Sequence, residues 1–138
     1  MHVSAEKSHR LAGCRAGLGL AVIALIGALG CSDDGNGKPD DCVPVTDGQI
    51  TIDGTVVGWE PDCLEVPVGT KVQFTADLLD ELPHDLEVSG PGLPKPVDTG
   101  DPVAGGRLSL EVAFEQAGRY QYVCSIHANM EGSIYVEE

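Results

Sequence analysis

The chain has 138 residues, with 8 Lys and Arg against 22 Asp and Glu, for a formal net charge of −14. A chain this anionic repels nucleic acid and anionic membrane surfaces and favours cationic partners. The length leaves room for one small domain, and the few aromatics (Trp59, Phe74, Phe114, Tyr120, Tyr122, Tyr135) fall in or beside apolar alternations, which argues against a base- or sugar-stacking platform.

The N-terminus reads as an address. Lys7, Arg10 and Arg15 form a basic leader, and residues 16–30 an apolar run. The run is shorter than the about 20 residues that span a bilayer, and small residues close it, as in a secretory signal. It ends Gly27-Ala28-Leu29-Gly30-Cys31. Small residues directly before a Cys resemble the bacterial lipoprotein signal, in which that Cys is lipidated and becomes the new N-terminus. Here Ala28 stands where such signals usually carry Leu. The expectation is a signal peptide over 1–30, lipidation at Cys31, and residence in the bacterial envelope, in the periplasm or on the outer surface. The alternative is an ordinary signal peptide cut nearby, which also delivers the domain to an oxidising compartment.

Loss of residues 1–30 removes three cations and Glu6, so the formal net charge moves from −14 to −16. His2, His9 and Met1 leave as well, so His84, His127 and Met130 are the only His and Met that remain. The next stretch, Ser32 to Asp41, has no aliphatic or aromatic residue. Such a segment cannot bury apolar area against its ordering entropy, so residues 31–41 read as a flexible acidic tether and 42–138 as the folded domain.

Within the domain, period-2 alternation recurs. Ile50 and Ile52 alternate with polar residues, and Asp53-Gly54 signals a turn before Val56-Val57-Gly58-Trp59. Leu64, Val66 and Val68 follow, then Val72 and Phe74 after a turn at Gly69, then Leu86 and Val88. Residues 89–106, rich in Gly and Pro, read as a loop with at most a short edge segment. Leu108, Leu110, Val112 and Phe114 give the cleanest alternation; Tyr120 and Tyr122 share the next face, and Ile134 and Val136 close the chain. Short strands at this spacing predict an all-β sandwich or barrel. A buried Tyr hydroxyl needs a partner, so at least one of Tyr120 and Tyr122 is expected to pin a neighbouring loop.

The chemistry concentrates in Cys124-Ser125-Ile126-His127-Ala128-Asn129-Met130. A thiolate, an imidazole and a thioether within one inter-strand loop suit a mononuclear copper centre, which takes two imidazoles and a thiolate in a plane with a weak axial thioether. His84, at the start of the Leu86–Val88 alternation, supplies the second imidazole. The expected set is one copper per chain on His84, Cys124, His127 and axial Met130. Of the other cysteines, Cys14 leaves with the leader and Cys31 is assigned to lipid. Cys42 and Cys63 remain as an even pair and read as a disulfide, worth about 3 kcal/mol in chain-entropy terms. Pairings through Cys31 or Cys124 are the alternatives, and each leaves a thiol unexplained.

The run Gly118 to Gly132, with Leu82-Pro83-His84 and Glu60 to Gly69, resembles the cupredoxins, the small type 1 copper proteins. The two-residue gap between His127 and Met130 matches the family's short ligand loop, and Cys42 and Cys63 lie where some members carry a disulfide. The resemblance spans roughly 50–138. It implies a Greek-key β-sandwich with copper near one end, a monomeric electron carrier with no enzymatic role, and His127 as the exposed ligand through which electrons pass. It also implies that residue 85 locks the Cys loop near Ser125. The family usually has Asn there, and Asp85 adds charge that favours Cu(II). Ile126 and Ala128 stand where a Pro often flanks the second His.

An oxidase or reductase would need further copper ligands, mostly His, and none are left over. Copper delivery without a dedicated electron-transfer role is the runner-up, and its sites tend to carry more Met or His. The expected partner is a basic redox protein, a c-type cytochrome or a copper enzyme, with the membrane reached only through the lipid. Asp77, Asp80, Glu81 and Asp85, close together and ending at the His84 segment, are the candidate steering charges.

Overall fold

The computed structural model describes residues 37–138. The signal segment, Cys31 and the first part of the tether lie outside the described residues. In chain order the strands are β1 (Val43–Pro44), β2 (Gln49–Thr55), β3 (Gly58–Glu60), β4 (Cys63–Pro67), β5 (Thr70–His84), β6 (Glu87–Ser89), β7 (Val97–Asp98), β8 (Val103–Phe114), β9 (Gly118–Val123) and β10 (Glu131–Glu137). They form a six-stranded sheet ordered β1-β4-β10-β9-β6-β7 and a four-stranded sheet ordered β3-β2-β5-β8. The chain crosses repeatedly between the two, which is the expected Greek-key sandwich.

The alternation decides which faces meet. Val72, Phe74 and Ala76 on β5 are buried, as are Val112 and Phe114 on β8, Tyr120 and Tyr122 on β9, and Ile134 and Val136 on β10. The Phe74 ring lies 6.3 Å from Phe114 and 6.4 Å from Tyr122, which joins the two sheets. Burying one such ring is worth about 1.5–3 kcal/mol. The Tyr120 hydroxyl donates to the Gln116 carbonyl at 2.8 Å, and the Tyr122 hydroxyl donates to the Pro61 carbonyl, so both tyrosines pin loops.

Cys42 and Cys63 form a disulfide with Cα atoms 4.6 Å apart, which decides the pairing and ties the domain's start to β4. Cys124 is free and buried. Lys38, in the segment read as tether, pairs with Glu65 at 2.9 Å and Glu137 at 2.7 Å, so the chain at Lys38 is fastened to β4 and β10 before Cys42.

Two boundaries differ from the pattern. The turn falls at Val56-Val57, and Asp53 and Gly54 stay in β2, paired with Glu60 and Trp59. Gly54 is there because the Trp59 ring lies on it: a β-carbon would meet Cε3 at 3.0 Å and Cη2 at 3.1 Å. Likewise Val103–Gly106 is strand, with Val103 opposite His84 and Ala104 opposite Pro83. Glycine there supplies left-handed backbone, φ +64° at Gly105 and +82° at Gly106, opposite an irregularity in β5.

Candidate metal centre

One end of the sandwich gathers the candidate ligands. β5 ends at His84, where the chain leaves the four-stranded sheet for β6. β6 pairs with β9, Glu87 opposite Val123, so His84 arrives beside the end of β9. Cys124 follows β9 directly. Its amide donates to the Met130 carbonyl at 2.9 Å, and the Met130 amide donates to the His127 carbonyl at 3.0 Å. These bonds close the 124–130 loop over the core, where Met130 is fully buried.

Cys124 Sγ lies 3.5 Å from His127 Nδ1 and 4.0 Å from His84 Nδ1, and the three donor atoms all lie within 4.8 Å of one another. With metal–nitrogen and metal–sulfur bonds of about 2.0 and 2.3 Å, donors at 120° stand about 3.7 Å apart. The residues therefore fit a planar site of two imidazole nitrogens and one thiolate sulfur. His84 is fully buried and His127 half-buried, so His127 is the ligand candidate nearer solvent. Burial pushes the Cys124 thiol up, and a metal ion would deprotonate it on binding. Met130 is buried in the core cluster that includes Cys124, on the loop that carries His127.

Two carboxylates hold this constellation. Asp85 accepts from the Ser125 amide at 2.6 Å and from the Ser125 hydroxyl. Burial pushes its carboxyl up, but the bonds from the Ser125 hydroxyl and amide outweigh it and hold the carboxyl below the usual range. The second carboxylate is Asp80, whose Oδ1 lies 2.7 Å from His84 Nε2. Asp80 also accepts from the amides of Val56 at 2.8 Å and Leu82 at 3.0 Å. The His84 ring is the main reason its carboxyl is held down to about 2.

Three members of the acidic run have partners of their own. Asp77 pairs with Arg107 at 2.5 Å, Asp80 faces His84, and Asp85 is buried on Ser125, which leaves Glu81 as the exposed member of the four. Of the four, Asp85 alone is buried, and Asp77 and Asp80 are partly exposed.

The Cupredoxin-like domain family matches this chain over residues 20–136. Amicyanin of Paracoccus denitrificans is 28% identical over 127 residues, covering 89% of this chain and 95% of its own. The structure of a reduced amicyanin mutant superposes with a TM-score of 0.51 at 29% identity, over 67% of this chain and 86% of that one. Auracyanin A of Chloroflexus aurantiacus, a blue copper protein, superposes at 0.55 with 16% identity over 69% of this chain and all of its own, a likeness of fold. With the match running nearly end to end, and a sandwich that brings two imidazoles to one buried thiol, this chain belongs to the cupredoxin-like family.

Proposed function

We propose that the protein is an exported electron carrier with one copper per chain, which His84, Cys124, His127 and Met130 would hold. The observation that carries this reading is the convergence of both Nδ1 atoms on one buried Sγ, at 3.5 and 4.0 Å. When bound, copper supplies a one-electron couple between Cu(I) and Cu(II), and this mixed set of soft and imidazole donors suits both states. The chain's own part is to hold the donors still. β5 and the bonds of Asp80 fix His84, the turn bonds fix the 124–130 loop, and Asp85 fastens the two segments together. Burial of His84, Cys124 and Met130 keeps bulk water from these three side chains. His127, with exposed Ile126 and Ala128 beside it, faces the route to a partner. No substrate is turned over in this reading.

The partner is a redox protein, a basic c-type cytochrome or a copper enzyme, attracted by the net negative charge of the exported chain and met by a monomer of this protein. Docking is centred on His127, with Ile126 and Leu82 as exposed apolar contacts, since three carboxylates of the 77–85 run already have partners within the chain. The test is stopped-flow mixing of the reduced protein with an oxidised basic cytochrome. Its copper should be oxidised as the cytochrome is reduced, faster at low salt. Tight copper retention without electron exchange would favour delivery or storage instead.

Export follows from the leader over 1–30, and the anchor from Cys31 after Gly30. Labelled fatty acid should enter the wild type and not Cys31→Ser. Equal labelling of both, or of neither, leaves export by an ordinary signal peptide.

A further inference from the structure

We propose that Asp80 is a positioning residue for the metal centre, fixing the orientation and tautomer of the His84 ring and lowering the reduction potential with its charge. The inference rests on the copper reading above.

The geometry gives the two ring nitrogens of His84 different neighbours. An ionised carboxylate can only accept. Asp80 Oδ1 stands 2.7 Å from Nε2, so Nε2 carries the hydrogen. That leaves Nδ1, the atom that faces Cys124 Sγ, as the nitrogen whose lone pair a metal would use. Without Asp80, a fully buried imidazole would hold an unpartnered N–H at this position.

The carboxylate is set in place independently of the ring. Its oxygens also accept from the Val56 amide in the β2–β3 turn and the Leu82 amide in its own segment. Backbone irregularity delivers it there: the β5–β8 register advances from Leu78 opposite Gly106 to Pro83 opposite Ala104, so residues 79–82 bulge out of the ladder. Bulges of this kind re-aim side chains beside functional sites. Asp80 therefore couples a turn, a bulge and a ligand candidate, whereas Asp77, in the same run, pairs with exposed Arg107.

Outer partners of metal-bound histidines typically carry 10–100-fold in affinity or activity. Asp80→Asn keeps an acceptor but removes the charge, and should weaken Cu(II) relative to Cu(I) about tenfold, a rise of about 59 mV for a one-electron couple. Asp77→Asn removes equal formal charge from the same run and should shift the equilibrium less than about twofold, as exposed pairs contribute little. In metal-free protein, 15N NMR should show His84 with its hydrogen on Nε2, and Asp80→Ala should mix the tautomers. The proposal is overturned if metal-free His84 carries its hydrogen on Nδ1, or if Asp80→Asn moves the potential no further than Asp77→Asn. A wild type that binds copper without colour contradicts the copper reading alone, and the tautomer measurement then decides the role of Asp80.

Discussion

Asp85 accepts two hydrogen bonds from Ser125, one from the amide at 2.6 Å and one from the hydroxyl, across a separation of 40 residues. Asp85 follows His84 and Ser125 follows Cys124, so this contact joins the strand end that presents one donor to the loop that presents the other. Packing alone would let these two segments slide, whereas a carboxylate with two directed donors does not.

Asp85→Ala should leave the Ser125 amide without its acceptor and cost about 1–3 kcal/mol. Asp85→Asn keeps an acceptor for that amide and should cost less. It also removes a negative charge beside the centre, so the reduction potential should rise. Urea unfolding and voltammetry on both variants check this. Equal stability of Ala and Asn would show that the bonds to Ser125 contribute nothing.

Gly132→Ala should be severe for so small a change. A β-carbon there would fall inside the contact radius of the Tyr122 ring, and the Tyr122 hydroxyl is engaged by the Pro61 carbonyl, so the ring cannot swing clear. Overpacking of this kind costs about 1–3 kcal/mol. A lower urea midpoint at unchanged slope is expected. An unchanged midpoint would mean that β10 shifts freely against β9.

The grouping of His84, Cys124 and His127 was legible because, beyond residue 30, His84, His127 and Met130 are the only His and Met in the sequence. The strands were legible because each buries one face. Two glycine signals misled for opposite reasons. Gly54 looks like a turn residue but makes room for the Trp59 ring, and the Gly105-Gly106 pair looks like loop but supplies the left-handed backbone opposite a bulge. Composition also marked Lys38 as tether, although two carboxylates from strands far along the chain hold it. The contact of Asp80 with His84 was not legible, because charge density along the sequence does not say which way a carboxylate points, and the bulge that aims it is a tertiary feature.

Tyr120 predicts an alkaline limb. Burial pushes its hydroxyl up from an ordinary value of 10.0, against the smaller effect of the Gln116 carbonyl. A group whose pKa is raised on folding keeps its full contribution below the unfolded value and loses it as pH rises towards the folded one. Stability should therefore decline above about pH 10. Tyr120→Phe keeps the edge-on contact with Phe114, whose ring centroid is 5.0 Å away. It should be about 1 kcal/mol less stable at neutral pH for the lost hydrogen bond, and the gap should close on going above pH 10. A constant gap up to pH 12 would contradict the assignment.

The central claim is that Cys124 and the two imidazoles form a type 1 copper site. The direct measurement is the visible absorption of the protein loaded with stoichiometric Cu(II), beside Cys124→Ser. The account predicts an intense blue thiolate-to-copper band in the wild type, bleached on reduction and restored on oxidation, and absent in the variant. Stoichiometric copper bound by a colourless wild type, or a band that survives Cys124→Ser, would contradict it.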